Sequence, residues 1–447
     1  MKSPMRRLVA VTTVATMLTL TACSGEDGTT EAGDTTAVQV GNKWTGGPVT
    51  VDLWHDNKAI QPAVDAFNAA HSAEGIQIKF TETTELNTAV RNAFAAGNAP
   101  DLFVTQTADL ASFISEGIAA DVSRYYQSIA ADYAKTVNEA VTTGGRQWAV
   151  PAASIPTFML YNSRVFQANG VKYPTTYEEV LEAGKALKPK NVSIMNVAGE
   201  DPTPYIYMAW EAGARWYRLD GDAWTVNVDS EQTRRSAEFF DKGLADGIFS
   251  KISYAEYAAM MQQYDSGAIA ARQLSTWQTK GMQANLKTSL GSWDPEPNLK
   301  WNGNPATNAA FTRVFTTTSK SDAADAAVFA AHALSSTADT INALGSPVTG
   351  LSYFPAVADP KPYIASSLPD KLLGANGKDW EPVVTQAVSE QADGWTYGPN
   401  WAGAFSQLQD LWGKAVAGQM KAVDIAPALQ KWIVDDLKQQ GIGVAGA

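Results

Sequence analysis

The stretch VTVDLWHDNKAIQPAVDAFNAAHSAEGIQIKF, residues 49–80, decides the fold class. VTVDLW alternates apolar and polar residues in β-rich composition, and Ile60, Ala63, Val64 and Phe67 then recur at helical spacing. IQIKF alternates again. Leu86, Val90 and Phe94 repeat every four residues before Gly97, a predicted C-cap, and DLFV (101–104) follows. Strand, helix, strand, helix, strand in that order predicts an α/β layer with a parallel sheet. Ligands of open parallel sheets gather beyond the C-terminal strand ends, and the loops there are HDNK (55–58) and TQTAD (105–109).

Outward from this block, two prolines bracket PAASIP (151–156) and restrict the backbone there, which predicts a passage from one structural body to another. Thr176 and Glu179 match a capping box that opens a helix. Helical patterns cover the regions around Phe239 to Leu244 and Tyr254 to Tyr264, and RLDGDAWTVNV (218–228) predicts a hairpin. AFTRVFTTTS (310–319) predicts a strand ahead of an Ala-rich helix from about Asp322 to Leu334. Ile425, Leu429, Trp432, Ile433 and Leu437 share one face of a C-terminal helix. No repeat of fixed period is present.

The 447 residues carry a formal charge of −12, which argues against nucleic acid, because that affinity rests on Lys and Arg neutralising phosphates. MKSPMRRLVAVTTVATMLTLTAC opens with Lys2, Arg6 and Arg7 and continues as an uncharged run from Leu8 to Leu20, the pattern of an export signal. That run falls short of the roughly 20 residues that span a bilayer core, and no later segment is long and apolar enough. Cys23 is the single cysteine, so it has no disulfide partner in the chain. Leu20, Thr21, Ala22 and Cys23 resemble a bacterial lipobox, in which the cysteine is diacylated and becomes the mature N-terminus. Two acyl chains anchor stably, at about 0.8 kcal/mol per buried methylene. The following Gly-, Thr- and acid-rich segment to residue 47 reads as a flexible tether.

Several segments together resemble the extracellular solute-binding proteins of bacterial ABC importers, in the sugar-carrying branch (sugar-binding family 1). They are VTVDLWHD (49–56), AAGNAPDLFVTQTADLASFISEGIAADV (95–122), GRQWAVPAASIPTFMLYNSRVFQANGVKYPTTYEEVLEAGKAL (145–187) and YDSGAIAARQLSTW (264–277). The resemblance implies an α/β, two-lobed periplasmic-binding-protein-like fold with a hinge and an interlobe ligand cleft. It divides the chain into a lipoprotein signal peptide (1–22), the tether (23–47), lobe one (48–153 plus 314–350) and lobe two (157–312 plus 352–447). PAASIP, FTRVF and SPVTGLSYFP contain the crossings. The implied function is a lipid-anchored receptor on the extracellular face of the cell membrane, monomeric, that binds a saccharide and delivers it to the permease subunits of an ABC transporter. It implies no catalytic residue, no cofactor and no metal.

Sugar rings present flat C–H patches and a rim of hydroxyls, so a site needs aromatic faces together with fixed donors and acceptors. Trp44, Trp293, Trp301, Trp395, Trp401 and Trp412 lie beside Gly, Pro or Asn, where a core role is less automatic. On lobe one the candidates are Trp54, His55 and Asp56 after the first strand, and Gln106 and Asp109 after the third. Asp109, directly before Leu110, can equally cap its helix, Asp56 less readily so, and His55 can equally be an ordinary surface histidine. On lobe two they are Tyr205, Trp277, Trp395, Tyr397, Asn400 and Trp401. A membrane-anchored glycoside hydrolase would use similar platforms with two carboxylates about 5 to 9.5 Å apart. A surface adhesin would need no small-molecule pocket. GIGVAG (441–446) has no following helix to bind phosphate and reads as a frayed tail; Asn191-Val192-Ser193 is a formal sequon of little weight; and LDGDAW lacks the further carboxylates of a calcium loop. His55, His71 and His332 form no H-E-x-x-H zinc motif, and G-x-S-x-G is absent.

Overall fold

The computed structural model describes residues 37–305, 307–309, 311–392 and 394–445. The export signal, the lipobox with Cys23 and the tether up to residue 36 lie outside the described residues. The strands that frame the site are β1 (Val49–His55), β2 (Ile76–Glu82), β3 (Leu102–Gln106), β4 (Val150–Ile155), β5 (Phe158–Asn162), β6 (Ala271–Leu274), β7 (Trp293–Glu296) and β8 (Phe311–Thr317). The helices that matter are α1 (Gln61–His71), α2 (Leu86–Ala96), α3 (Thr107–Ser115), α4 (Thr203–Glu211), α5 (Thr276–Asn285), α6 (Ala324–Ser336), α7 (Trp401–Val416) and α8 (Ile425–Gln439).

The first sheet has the order β2-β1-β3-β8-β4. β1 pairs parallel with β2 and with β3, as the alternating pattern implies. β8 enters from two hundred residues downstream and runs antiparallel to both β3 and β4, so the sheet is mixed. Gly97 closes α2 in the left-handed region at φ +77°, where a side chain would be strained. Val51, Leu53, Phe103 and Phe315 from the sheet pack with Val64 and Phe67 of α1 and Val328 and Leu334 of α6 in one apolar core. The second sheet, β6-β5-β7, is antiparallel and lies among two further apolar clusters.

The chain passes between the first core and the other two at three places. Between Ile155 and Phe158 it leaves β4 for β5. Asn308–Ala309, paired with Gln391–Ala392, leads into β8. The third passage contains Phe354, whose carbonyl accepts from Ser154 N–H at 2.9 Å. There the sequence boundary at 352 comes early. Ala356 packs in the first core, and residues 356–358 pair with Asp132 and Ala134 through backbone bonds of 2.9 and 3.0 Å.

Several local expectations meet the structure directly. Tyr217–Asp220 and Ala223–Val226 form the hairpin. Thr176 caps its helix by accepting from Glu179 N–H at 3.1 Å, while Glu179 returns its carboxylate to Thr175 N–H. As far as Ala445 the tail is not frayed: Trp224 donates to Gly443 O at 2.8 Å and accepts from Ala445 N–H at 2.9 Å, which adds this stretch to the hairpin edge. The described end of the tether is also docked. Val38 N–H donates to Arg124 O at 2.8 Å, Trp44 N–H donates to the Glu74 carboxylate at 2.7 Å, and the Trp44 ring lies 5.6 Å from Phe329. Trp293, Trp301 and Trp412, singled out as possible platforms, are buried in the cores, whereas Trp432 on α8 is only half-buried.

Candidate functional site

The three crossing segments and the two sheets enclose a cleft of about 770 Å³. This lies within the range of small-molecule sites, about 300 to 1,000 Å³. The crossings contribute Ile155, Thr157, Phe311, Leu351 and Tyr353 to its floor. One wall carries Asp56, Asn57, Gln106 and Arg313, at the C-terminal ends of β1 and β3 and on β8. The opposite wall carries Tyr207 of α4, Tyr254, Tyr257, Arg272 and Gln273 of β6, Trp277 of α5, and Tyr397, Trp401 and Phe405.

Asp56 is held as an anion. Arg313 Nη2 approaches its two carboxylate oxygens at 2.9 and 3.1 Å, and His55 Nδ1 lies 3.0 Å from Oδ1. Burial works against the charge, but the Arg313 guanidinium on both oxygens outweighs it and holds the Asp56 carboxyl well below the usual range. His55 itself is fully buried under the strand end, with Nδ1 accepting from Asn57 N–H at 2.9 Å. Burial, against the pull of Asp56, lowers its pKa and keeps the ring neutral. The helix-capping role falls to Asn57, whose side chain accepts from Ala59 N–H at 3.0 Å.

Next to this ion pair lies a side pocket of about 250 Å³ that shares Asp56, Gln106 and Arg313 and adds Asp109 and Asn87. Asp109 sits in the first turn of α3 rather than at its cap. Burial raises its pKa against the Asn87 hydrogen bond and the charges of Arg91 and Arg313.

The aromatic wall has two parts. Trp277 is 50% exposed and Tyr257 40% exposed, two of the three large hydrophobic side chains left open among the described residues, and both face the cleft. Trp401 and Tyr397 border the cleft too, but they are 2% and 6% exposed, with ring centroids 4.7 Å apart. Behind them Trp395 stacks on Trp210 at 4.9 Å and 13°, so its face is used by the protein.

Beneath the cleft runs a buried polar relay. Gln273 Nε2 donates to Tyr177 Oη at 2.9 Å and to Asn298 Oδ1 at 2.7 Å, which leaves Gln273 Oε1 without a partner among the described residues. Tyr177 Oη and Asn298 Nδ2 in turn meet the Glu211 carboxyl at 2.5 and 2.8 Å. Burial of Glu211 dominates these bonds and raises its pKa to about 8. An unfolded Glu titrates near 4.5, so the folded state binds more protons between the two values, and this group makes stability fall as pH rises from about 4.5 to about 8. Glu211→Gln is expected to flatten that fall, read as urea midpoints at pH 5 and pH 8. An unchanged slope in the variant would contradict the assignment.

Five of the eleven sequence candidates thus line the main cleft: Asp56, Gln106, Trp277, Tyr397 and Trp401. Asp109 lines the side pocket. The remaining five are corrected by packing. Trp54 is half-buried beside β1 with Nε1 donating to Asp52 at 3.3 Å, and His55 lies under the strand end. Tyr205 is a core residue among Trp216, Phe240 and Trp412; Ile206 and Tyr207 take the cleft face of the same helix. Trp395 is stacked away, and buried Asn400 is spent on Asp436 at 2.8 Å and Tyr217 at 3.3 Å. Arg272, Gln273, Arg313, Tyr207 and Tyr257 were missed. A basic or amide residue inside an apolar strand, as in AIAARQL and FTRVF, was the available signal for three of them.

Residues 62–367 match the family model described as bacterial extracellular solute-binding protein. The chain belongs to that family. It is a family of binding proteins rather than enzymes. Among curated relatives, the Diacetylchitobiose binding protein DasA of Streptomyces coelicolor is 21% identical over 243 residues, 53% of this chain and 56% of that protein. The Maltotriose-binding protein of Pyrococcus abyssi is 23% identical over 166 residues, 37% of this chain and 36% of its own length. The aligned stretches therefore span about half or less of these relatives. Among solved structures, the galacto-N-biose-/lacto-N-biose I-binding protein of the ABC transporter from Bifidobacterium longum, in complex with lacto-N-biose, has a TM-score of 0.77 at 21% identity. It covers 90% of this chain and 100% of that one. The ABC transporter associated binding protein from B. animalis subsp. lactis, in complex with beta-1,6-galactobiose, has a TM-score of 0.75 at 19% identity, over 89% and 100%. The fold of this solute-binding protein is the two-lobed α/β fold of those proteins. Among the described residues no helix is long and apolar enough to cross a membrane, and no group of metal-ligating side chains is assembled.

Proposed function

We propose that this solute-binding protein captures an oligosaccharide in the cleft and delivers it to the permease of an ABC transporter. The observation that carries the proposal is the pairing of open aromatic faces, Trp277 and Tyr257, with partnerless polar groups on the same wall. Aromatic faces suit the C–H patches of a sugar, and fixed donors and acceptors suit its hydroxyls. Diacetylchitobiose, maltotriose and lacto-N-biose, named for the relatives, are all of this chemical class. Contacts made from both walls exist together only when the cleft is shut. Ligand therefore favours the closed form by their differential free energy, and a permease can recognise that form.

A thermal-shift panel of mono- and oligosaccharides on residues 24–447 tests the reading. Ligand at 100 times Kd contributes about 2.7 kcal/mol, a readable rise in midpoint. Silence across the panel with a response to peptides or polyols would overturn it. Hydrolysis products that vanish on replacing one carboxylate would favour an enzyme instead.

The site is placed, on this reading, at the outer face of the cell membrane by lipid on Cys23, in a monomeric receptor. Cys23→Ser is expected to move the protein from the membrane to the soluble fraction with saccharide affinity unchanged. Retention at the membrane would remove the anchor from the proposal.

A further inference from the structure

Arg272 differs from every other charged group of the cleft. It lies on β6, is 7% exposed, and borders the cavity. Among the described residues no ion pair and no hydrogen bond reaches its guanidinium, and Nη1 is enclosed without a partner. The Tyr264 ring lies 5.4 Å from the guanidinium carbon. A guanidinium offers five N–H donors in a planar fork and stays charged. Nη1 is shut off from solvent while the rest of the fork borders the cavity, and a native fold rarely leaves so deeply set a charge without a partner.

The surrounding wall does not answer it. Arg313, the other cleft arginine, is neutralised by Asp56 at 2.9 Å. Asp201 also borders the cleft, but its carboxylate accepts from Thr203 N–H at 3.0 Å and makes no ion pair with Arg272. Burial raises the phenol pKa values of Tyr254, Tyr264 and Tyr207, so these neighbours stay neutral. The net charge of −12 offers an incoming anion no general attraction. At physiological salt that field is screened beyond about 8 Å, and a buried guanidinium dominates its own surroundings.

We infer that Arg272 receives a carboxylate carried by the ligand, so that the saccharide taken up is an acidic one containing a uronic acid or similar carboxylated unit. The fork of Arg272 matches the two oxygens of a carboxylate, and charge-assisted bidentate pairing is stronger than a bond to a neutral hydroxyl. Gln273, the next residue, leaves Oε1 free as an acceptor for a sugar hydroxyl. This inference rests on the saccharide reading and narrows it.

Calorimetric titration with matched oligosaccharides tests it: for each linkage, the neutral sugar, the uronate, and the methyl ester of that uronate, which keeps the size and removes the charge. The uronate is expected to bind at least tenfold more tightly than its ester and its neutral counterpart in one or more sets. Arg272→Met is expected to erase that preference, with a ligand-free melting midpoint equal to or above that of the parent, because a partnerless charge has been removed. Arg272→Lys keeps the charge and is expected to retain part of the preference. Neutral sugars binding as tightly as uronates would overturn the inference and leave the saccharide reading standing. A uronate preference that survives in Arg272→Met would also overturn it. Absence of binding in all three arms would overturn both.

Discussion

Trp277→Ala is expected to weaken saccharide binding by about tenfold to a hundredfold while the melting midpoint of the ligand-free protein stays where it is. The ring is 50% exposed at the start of α5, so its removal takes little from the core. A Trp face covered by ligand contributes area burial at about 25 cal/mol per Å² and about 0.5 to 1.5 kcal/mol more from ring geometry. Tenfold in affinity is about 1.4 kcal/mol, so the loss of one such platform spans the stated range. Titration of parent and variant with the same sugar reads the effect. Equal affinities would show that the open ring is not a binding surface.

Trp401→Ala is expected to behave in the opposite way, losing about 3 to 5 kcal/mol of folding stability. This ring also borders the cleft, but it is 2% exposed. Its centroid lies 4.7 Å from Tyr397, 6.1 Å from Phe405 and 6.3 Å from both Trp216 and Tyr217. Truncation would leave a cavity among aromatic side chains that are themselves rigidly packed. Urea unfolding measures it, and a midpoint unchanged from the parent would contradict the core assignment. The two variants together separate a residue that touches the cleft from one that is held open to it.

The contrast explains what could be read from the chain. The β1-α1-β2-α2-β3 run was legible because its apolar spacing is local: Val51 and Leu53 alternate, and Val64 and Phe67 recur at helical spacing. The antiparallel insertion of β8 beside β3 was not, since its partner lies two hundred residues away. The same limit governs the site. Asp56 and Gln106 follow strand ends, and that topology alone brings them to the cleft. Trp293, Trp301 and Trp412 sit beside Gly, Pro or Asn, but neighbours in sequence report backbone form, not where an indole points; all three enter the cores. Tyr205 and Tyr207 occupy one helix two residues apart, and only the packing of α4 decides that the second borders the cavity. Arg272 and Arg313 interrupt apolar strands, a local irregularity visible in the sequence, and both border the cleft.

Crystallisation with the saccharide that gives the largest thermal shift tests the binding of sugar between the two walls most directly. The expected density is one oligosaccharide lying against Trp277, with polar contacts to the Asp56 and Gln106 side and to β6. Sugar bound elsewhere on the surface, with the cleft holding none, would contradict it.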